Sequence, residues 1–188
     1  MKRFAMLGAV TLVLGACSSP IWPPFDGLAA RAELINSSGY KIGEATFAEN
    51  KDGPGVVMLL QAWDLPPGVY AMHIHDSGMC DSPDFQTSGG HFNPYGRKHG
   101  FKNPEGPHAG DLPNLVIPLD GKVDILVTIR EVTLKDGVNS LLGPRGTSLV
   151  IHANPDDEVT DPGGNSGAKI ACGVIRAPAT EFTEIEAK

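Results

Sequence analysis

From residue 31 to residue 178, polar and apolar residues alternate one for one in short runs instead of recurring at helical spacing. Alternation of this kind turns one side of an extended chain toward a core and the other toward water, so each run predicts a half-buried strand. The stretch RAELINSSGYKIGEATFAE (31–49) is two such runs around a Ser-Ser-Gly turn, and GVVMLLQAWDL (55–65) and GVYAMHIHD (68–76) follow across the connection LPPG. Strand patterns resume at LVIPLD (115–120), KVDILVTIREVTL (122–134), TSLVIHA (147–153) and KIACGVIRAP (169–178). Two stretches lack periodicity, residues 76–111 and a polar loop from Asn154 to Gly167. A structureless stretch as long as the first is uncommon inside a compact domain unless it carries function. No internal repeat is present.

Composition supports strands joined by loops. The chain holds 23 Gly and 16 Pro among 188 residues, which fits an all-β domain better than a helical bundle. Its net charge of -7 disfavours nucleic acid, whose phosphates need clustered Lys and Arg, and no basic stripe is present. An anionic substrate would need local positive charge at its site.

The N-terminus reads separately. MKR is a positive leader, residues 4–16 form an apolar run too short to span a bilayer, and small residues follow, which is a secretory signal pattern. Its end, LGAC, is similar to the bacterial lipobox, which makes Cys17 the lipid attachment site of a protein held extracytoplasmically on a bacterial membrane; the alternative is a plain signal peptide with an incidental cysteine. The expected organisation is therefore a signal peptide (1–16), a lipid-attached Pro/Ser-rich tether (17–30), one domain (31–178) and an acidic tail (179–188). Cys80 and Cys172 remain, in a compartment that permits disulfides, and pairing is expected over two free thiols or thiolate metal ligands.

Candidate chemistry lies in the histidines. His73 and His75 stand two apart on a predicted strand, so both project from one face. The Gly/Pro-rich stretch HFNPYGRKHGFKNPEGPHAGD (91–111) holds His91, His99, His108 and Asp111, and three imidazoles with one carboxylate suit a tetrahedral zinc ion. His152 on TSLVIHA completes the count of six histidines.

The motifs HIH, GGHFNP, KHG, HAGDL, VIHA, DD and GNSGAKIACGVI together resemble the copper/zinc superoxide dismutase family over about residues 31–176. The resemblance implies an eight-stranded Greek-key β-barrel or immunoglobulin-like sandwich with two long loops over a dinuclear site. It implies one copper on His73, His75, His91 and His152, and one zinc on His91, His99, His108 and Asp111, with His91 shared as an imidazolate. It further implies that Asp156 orients a copper and a zinc histidine from behind, and that a Cys80–Cys172 bridge ties the first loop to the last strand. The implied reaction is dismutation of the superoxide anion to dioxygen and hydrogen peroxide by Cu(II)/Cu(I) cycling, with His91 breaking from copper and carrying a proton, protecting the cell envelope.

Two departures stand out. Where the family usually places an arginine beside copper, this chain has Lys169, which implies that steering is partly kept and docking is looser. The second loop is short and acidic, and Asp161 and its neighbours supply no extra steering lysine; Arg97 and Lys98 are candidates to compensate, against the reading that they are solvated charges. Two other functions compete: a non-enzymatic copper/zinc-binding envelope lipoprotein on the same scaffold, and a structural adhesion module, which the complete ligand set argues against. Oligomeric state is not readable from the sequence.

Overall fold

The computed structural model describes residues 29–178, and these fold as strands, loops and one short 3₁₀ turn at Gln86–Ser88. The strands are β1 (Ala29–Asn36), β2 (Lys41–Glu49), β3 (Val56–Ala62), β4 (Gly68–Tyr70), β5 (Met72–His75), β6 (Leu115–Ile117), β7 (Val123–Ile129), β8 (Thr147–His152) and β9 (Lys169–Ile175). Seven form one curled antiparallel sheet in the order β5-β8-β9-β1-β2-β3-β7, and β4 pairs with β6. The expected all-β architecture is thus present as a curled, barrel-like sheet, with nine strands among the described residues where eight were expected, and every predicted run forms a strand. The run GVYAMHIHD makes two elements because it changes partner at Ala71: Tyr70 pairs with Leu115, while Ala71 donates its N–H to Asn154 O and accepts from His152 N–H.

Alternation along the strands builds the core. Val56, Met58, Leu60 and Ala62 of β3 point inward with Ala30, Ala32 and Leu34 of β1 and Phe47 of β2. β1 starts two residues inside the expected tether, because Ala30 is fully buried opposite Phe47. The expected signal peptide, lipidated Cys17 and acidic tail lie outside the described residues.

β5 and β8 differ from the rest: every residue in them is buried. Their inward positions, Met72, Ile74, Leu149 and Ile151, belong to the barrel core. Their outward positions include His73, His75 and His152, and the loops covering that face shield them from water. The first loop, from Asp76 to Asn114, lies along the free edge of β5, where Phe92 N–H donates to Ile74 O and Ile74 N–H donates to Gly110 O, both at 2.8 Å. Gly110 must be glycine, since a Cβ there would strike Ile74 O and sit 3.0 Å from Phe92 N.

A disulfide between Cys80 and Cys172, 92 residues apart in sequence, fastens this loop to β9. Phe85, Val150 and Cys172 form a small apolar cluster beneath it. Replacing both cysteines by alanine releases a long loop in the unfolded chain, and is expected to lower the unfolding free energy by roughly 4 to 5 kcal/mol. Denaturant titration of the metal-free proteins checks this, and coincident midpoints would refute it.

Candidate metal centre

Two sets of donor atoms converge on the outward face of β5 and β8. In the first, the Nδ1 atoms of His91, His99 and His108 lie 2.9, 3.0 and 3.2 Å from Asp111 Oδ1. The other Asp111 oxygen accepts the backbone N–H groups of Gly100 and His108, both at 2.9 Å, so the carboxylate is fixed with Oδ1 facing the rings. Zinc bonds of 2.0–2.1 Å in a tetrahedron put neighbouring donors roughly 3.3 Å apart, close to these three distances from Asp111. The donors at this end that all lie within 4.8 Å of one another are those of His91, His99 and Asp111 with His73, so the His108 ring stands farther from the other rings than from Asp111.

In the second set, donor atoms of His73, His75, His91 and His152 all fall within 4.8 Å of one another. His75 Nδ1 and His152 Nδ1 lie 3.0 and 3.2 Å from the carbonyl oxygens of Gly89 and Gly167. A carbonyl only accepts, so both Nδ1 atoms carry hydrogen and both Nε2 atoms are lone pairs. These lone pairs face each other at 3.2 Å, an arrangement that repels unless a cation lies between them.

Asp156 joins the two sets. One of its oxygens accepts from His73 Nε2 at 2.7 Å and the other from His99 Nε2 at 2.9 Å. Each ring therefore directs Nδ1 the opposite way, His73 into the second set and His99 into the first. Gly164 (φ +61) lies against this carboxylate, and a side chain there would run into Asp156 and sit 2.6 Å from His99 Nε2. The His73 ring also stacks on His91 at 3.9 Å between centroids, which brings it near the Asp111 cage, but its Nε2 is held by Asp156.

The residues fit metal ions on two further observations. His73 Nδ1 is buried without a hydrogen-bond partner, and His108 Nδ1, although 3.2 Å from Asp111 Oδ1, is buried without a well-directed hydrogen bond; such groups are costly to leave unpaired. Burial also pushes the His75 imidazole down to about 2, His152 to about 3 and His91 to about 4, His91 against the pull of Asp111. The rings are thus neutral ligands at neutral pH.

His99 behaves oppposite to its neighbours. Burial lowers it, but the carboxylates of Asp111 and Asp156 outweigh burial and raise it to about 9. Asp111 itself is raised by burial and held well below the usual carboxylate range by its ring and backbone donors.

An open cleft of about 390 Å³ leads to His75, His91 and His152, and Lys169, Asp161 and Gly163 line it. Lys169 Nζ donates to Ser88 Oγ and Gly89 O at 2.8 Å and to Phe85 O at 3.3 Å. The steering candidates Arg97 and Lys98 are both paired, Arg97 with Glu131 through two contacts of 2.6 and 2.8 Å and Lys98 with Asp161 at 3.1 Å. Their charges are thus offset locally by carboxylates.

In the metal-free protein, a metal arriving at His99 Nδ1 must displace a proton. Because the folded His99 value is near 9, apparent zinc affinity should rise about tenfold per pH unit from about pH 7 to pH 8, bend near pH 9 and level off above it. Calorimetric titration in buffers of different ionisation heat measures both affinity and released proton. A pH-independent affinity with no proton released would contradict it.

Comparison with known proteins agrees with this geometry. The family model described as copper/zinc superoxide dismutase (SODC) matches residues 41–175. The chain is 53% identical to superoxide dismutase [Cu-Zn] 2 of Aquifex aeolicus (strain VF5) over 178 residues, covering 94% of this chain and 100% of that protein. It is 42% identical to the superoxide dismutase-like protein YojM of Bacillus subtilis (strain 168), covering 76% of this chain and 74% of that one. Among solved structures, a superoxide dismutase-like protein from Bacillus subtilis superposes with a TM-score of 0.76 at 39% identity, over 79% of this chain and 99% of that one. The Cu/Zn superoxide dismutase from Brucella abortus gives 0.63 at 27% identity, over 79% and 99%. The chain belongs to the copper/zinc superoxide dismutase family.

Proposed function

We propose that the chain dismutates superoxide, with zinc held by His91, His99, His108 and Asp111 and copper by His73, His75, His91 and His152. The observation that carries this reading is the His91 ring, which stands in both groups of converging donors, with Nδ1 on Asp111 and Nε2 on the side of the cleft. Bound copper supplies a one-electron couple and bound zinc does not change oxidation state. Two superoxide anions and two protons yield one dioxygen and one hydrogen peroxide.

The chain's own residues do the rest. Asp156 and the carbonyls of Gly89 and Gly167 fix four rings before any metal arrives, so the geometry is pre-organised. His91 Nδ1 stays with Asp111, and its Nε2 lies on the side of Gly163, which lines the cleft. That nitrogen is placed to carry a proton toward product formed in the cleft.

Lys169 acts as a fixed charge. An ammonium has three N–H donors, and all three are spent on Phe85, Ser88 and Gly89. Lys169 therefore attracts the anion but offers it no hydrogen bond, which is the physical form of the looser docking expected from the sequence. Arginine in its place keeps the loop contacts with donors to spare. Lys169→Met should lower the rate about tenfold at low salt and flatten its dependence on ionic strength, and Lys169→Arg should exceed wild type. Pulse radiolysis of copper- and zinc-loaded proteins reads these rates. A Lys169→Met variant as fast as wild type would sink the role. Full loading with negligible wild-type activity would favour the metal-carrier alternative.

The leader MKR, the short apolar run and LGAC support attachment to a bacterial membrane through lipid on Cys17, outside the cytoplasm, where the enzyme would protect the envelope. Among the described residues no helix is long and apolar enough to cross a membrane. Radiolabelled palmitate should label the wild-type chain and not Cys17→Ala; label retained by the variant would rule this site out.

A further inference from the structure

Each zinc-side imidazole needs its second nitrogen held if the first is to stay aimed at the cage. His91 gives its second nitrogen to the other donor set, and His99 gives its own to Asp156 at 2.9 Å. His108 has Nδ1 turned toward Asp111, which leaves Nε2 facing outward. The carboxylate it faces is Asp161, whose Oδ1 lies 3.9 Å away. The same oxygen accepts the backbone N–H of His99 at 2.9 Å.

We infer that Asp161 is a second outer carboxylate of the zinc set, holding His108 by its charge and His99 by its backbone, and so positioning two ligands from the short second loop. This rests on the assignment of zinc to His91, His99, His108 and Asp111. Asp161 also lines the cleft through which an anion must pass, where an uncompensated carboxylate would repel it. Lys98 Nζ, 3.1 Å from Asp161 Oδ2, offsets that charge. The pair lets a carboxylate serve the zinc ligands without closing the cleft to anions.

Two variants test the role. Asp161→Ala should weaken zinc roughly tenfold to a hundredfold in chelator competition, the range for loss of an outer partner, with copper uptake unchanged. Asp161→Asn keeps an oxygen for His99 N–H but loses the charge toward His108, and should fall between. With cobalt(II) in the zinc set, the d–d bands should shift in Asp161→Asn, whereas mere loosening of the loop would alter affinity without moving them. Zinc affinities within twofold of wild type and unmoved bands would overturn the inference. Asp111→Ala separates the two levels: zinc retained in that variant overturns the zinc assignment itself, and zinc lost there but not in the Asp161 variants overturns only the role of Asp161.

Discussion

The Asp156 carboxylate, with one oxygen on His73 and the other on His99, is the contact on which both donor sets depend. An imidazole offers a metal only the nitrogen that carries no hydrogen, so whatever accepts from one nitrogen decides where the other points. Because a single carboxylate makes that choice for one ring of each set, the two sets are oriented together. Its own placement is constrained in turn: Asn114 Oδ1 accepts the Asp156 N–H at 2.7 Å, and Gly164 leaves room where any side chain would collide. Burial makes the arrangement stringent, because the carboxylate and both rings would otherwise satisfy themselves with water.

The barrel supplies rigidity and the loops supply donors. His73, His75 and His152 stand on strands whose inner faces are packed into the core, so their backbones cannot drift. His91, His99, His108 and Asp111 stand on a loop with no ladder of its own, and it borrows order from outside. Its backbone pairs with the free edge of β5, its Arg97 grips Glu131 after β7, and the disulfide fastens it to β9. A flexible segment tied at several independent points loses most of its freedom before a ligand is bound, which lowers the entropy that binding must overcome.

Alternation made the strands legible in the sequence, and the spacing of His91, His99, His108 and Asp111 made the donor types legible. Partner choice was not. Nothing in GVYAMHIHD marks Ala71 as the point where the run leaves β6 for β8, because that switch is decided by hydrogen bonds to Asn154 and His152 far along the chain. Ala29 and Ala30 look like tether in sequence, since small residues after a Pro-rich stretch carry little pattern; only the pairing with β2 shows that they belong to the sheet. Asp161 reads as one more loop acid, and its relation to His99 and His108 exists only because the second loop folds back over the first. Local pattern reports which way a residue faces, whereas these contacts depend on which distant segment it meets.

Charge is the remaining constraint, for a chain of net charge -7 must admit an anion. The structure meets it by pairing charges locally. Arg145 lies 3.3 Å from Asp76 and Lys98 3.1 Å from Asp161, so these pairs present little net field at the distance of an approaching ion. Lys169 stands differently: its hydrogen bonds go to two carbonyls and a hydroxyl, which hold the ammonium in place without cancelling its charge. Burial disfavours that charge, and the nearby carboxylates of Asp76 and Asp84 only partly offset the effect. The cation is thus kept on neutral acceptors, in a cleft whose acid is already paired and whose lining includes His75, His91 and His152, which is the arrangement on which the proposed attraction of the anion rests.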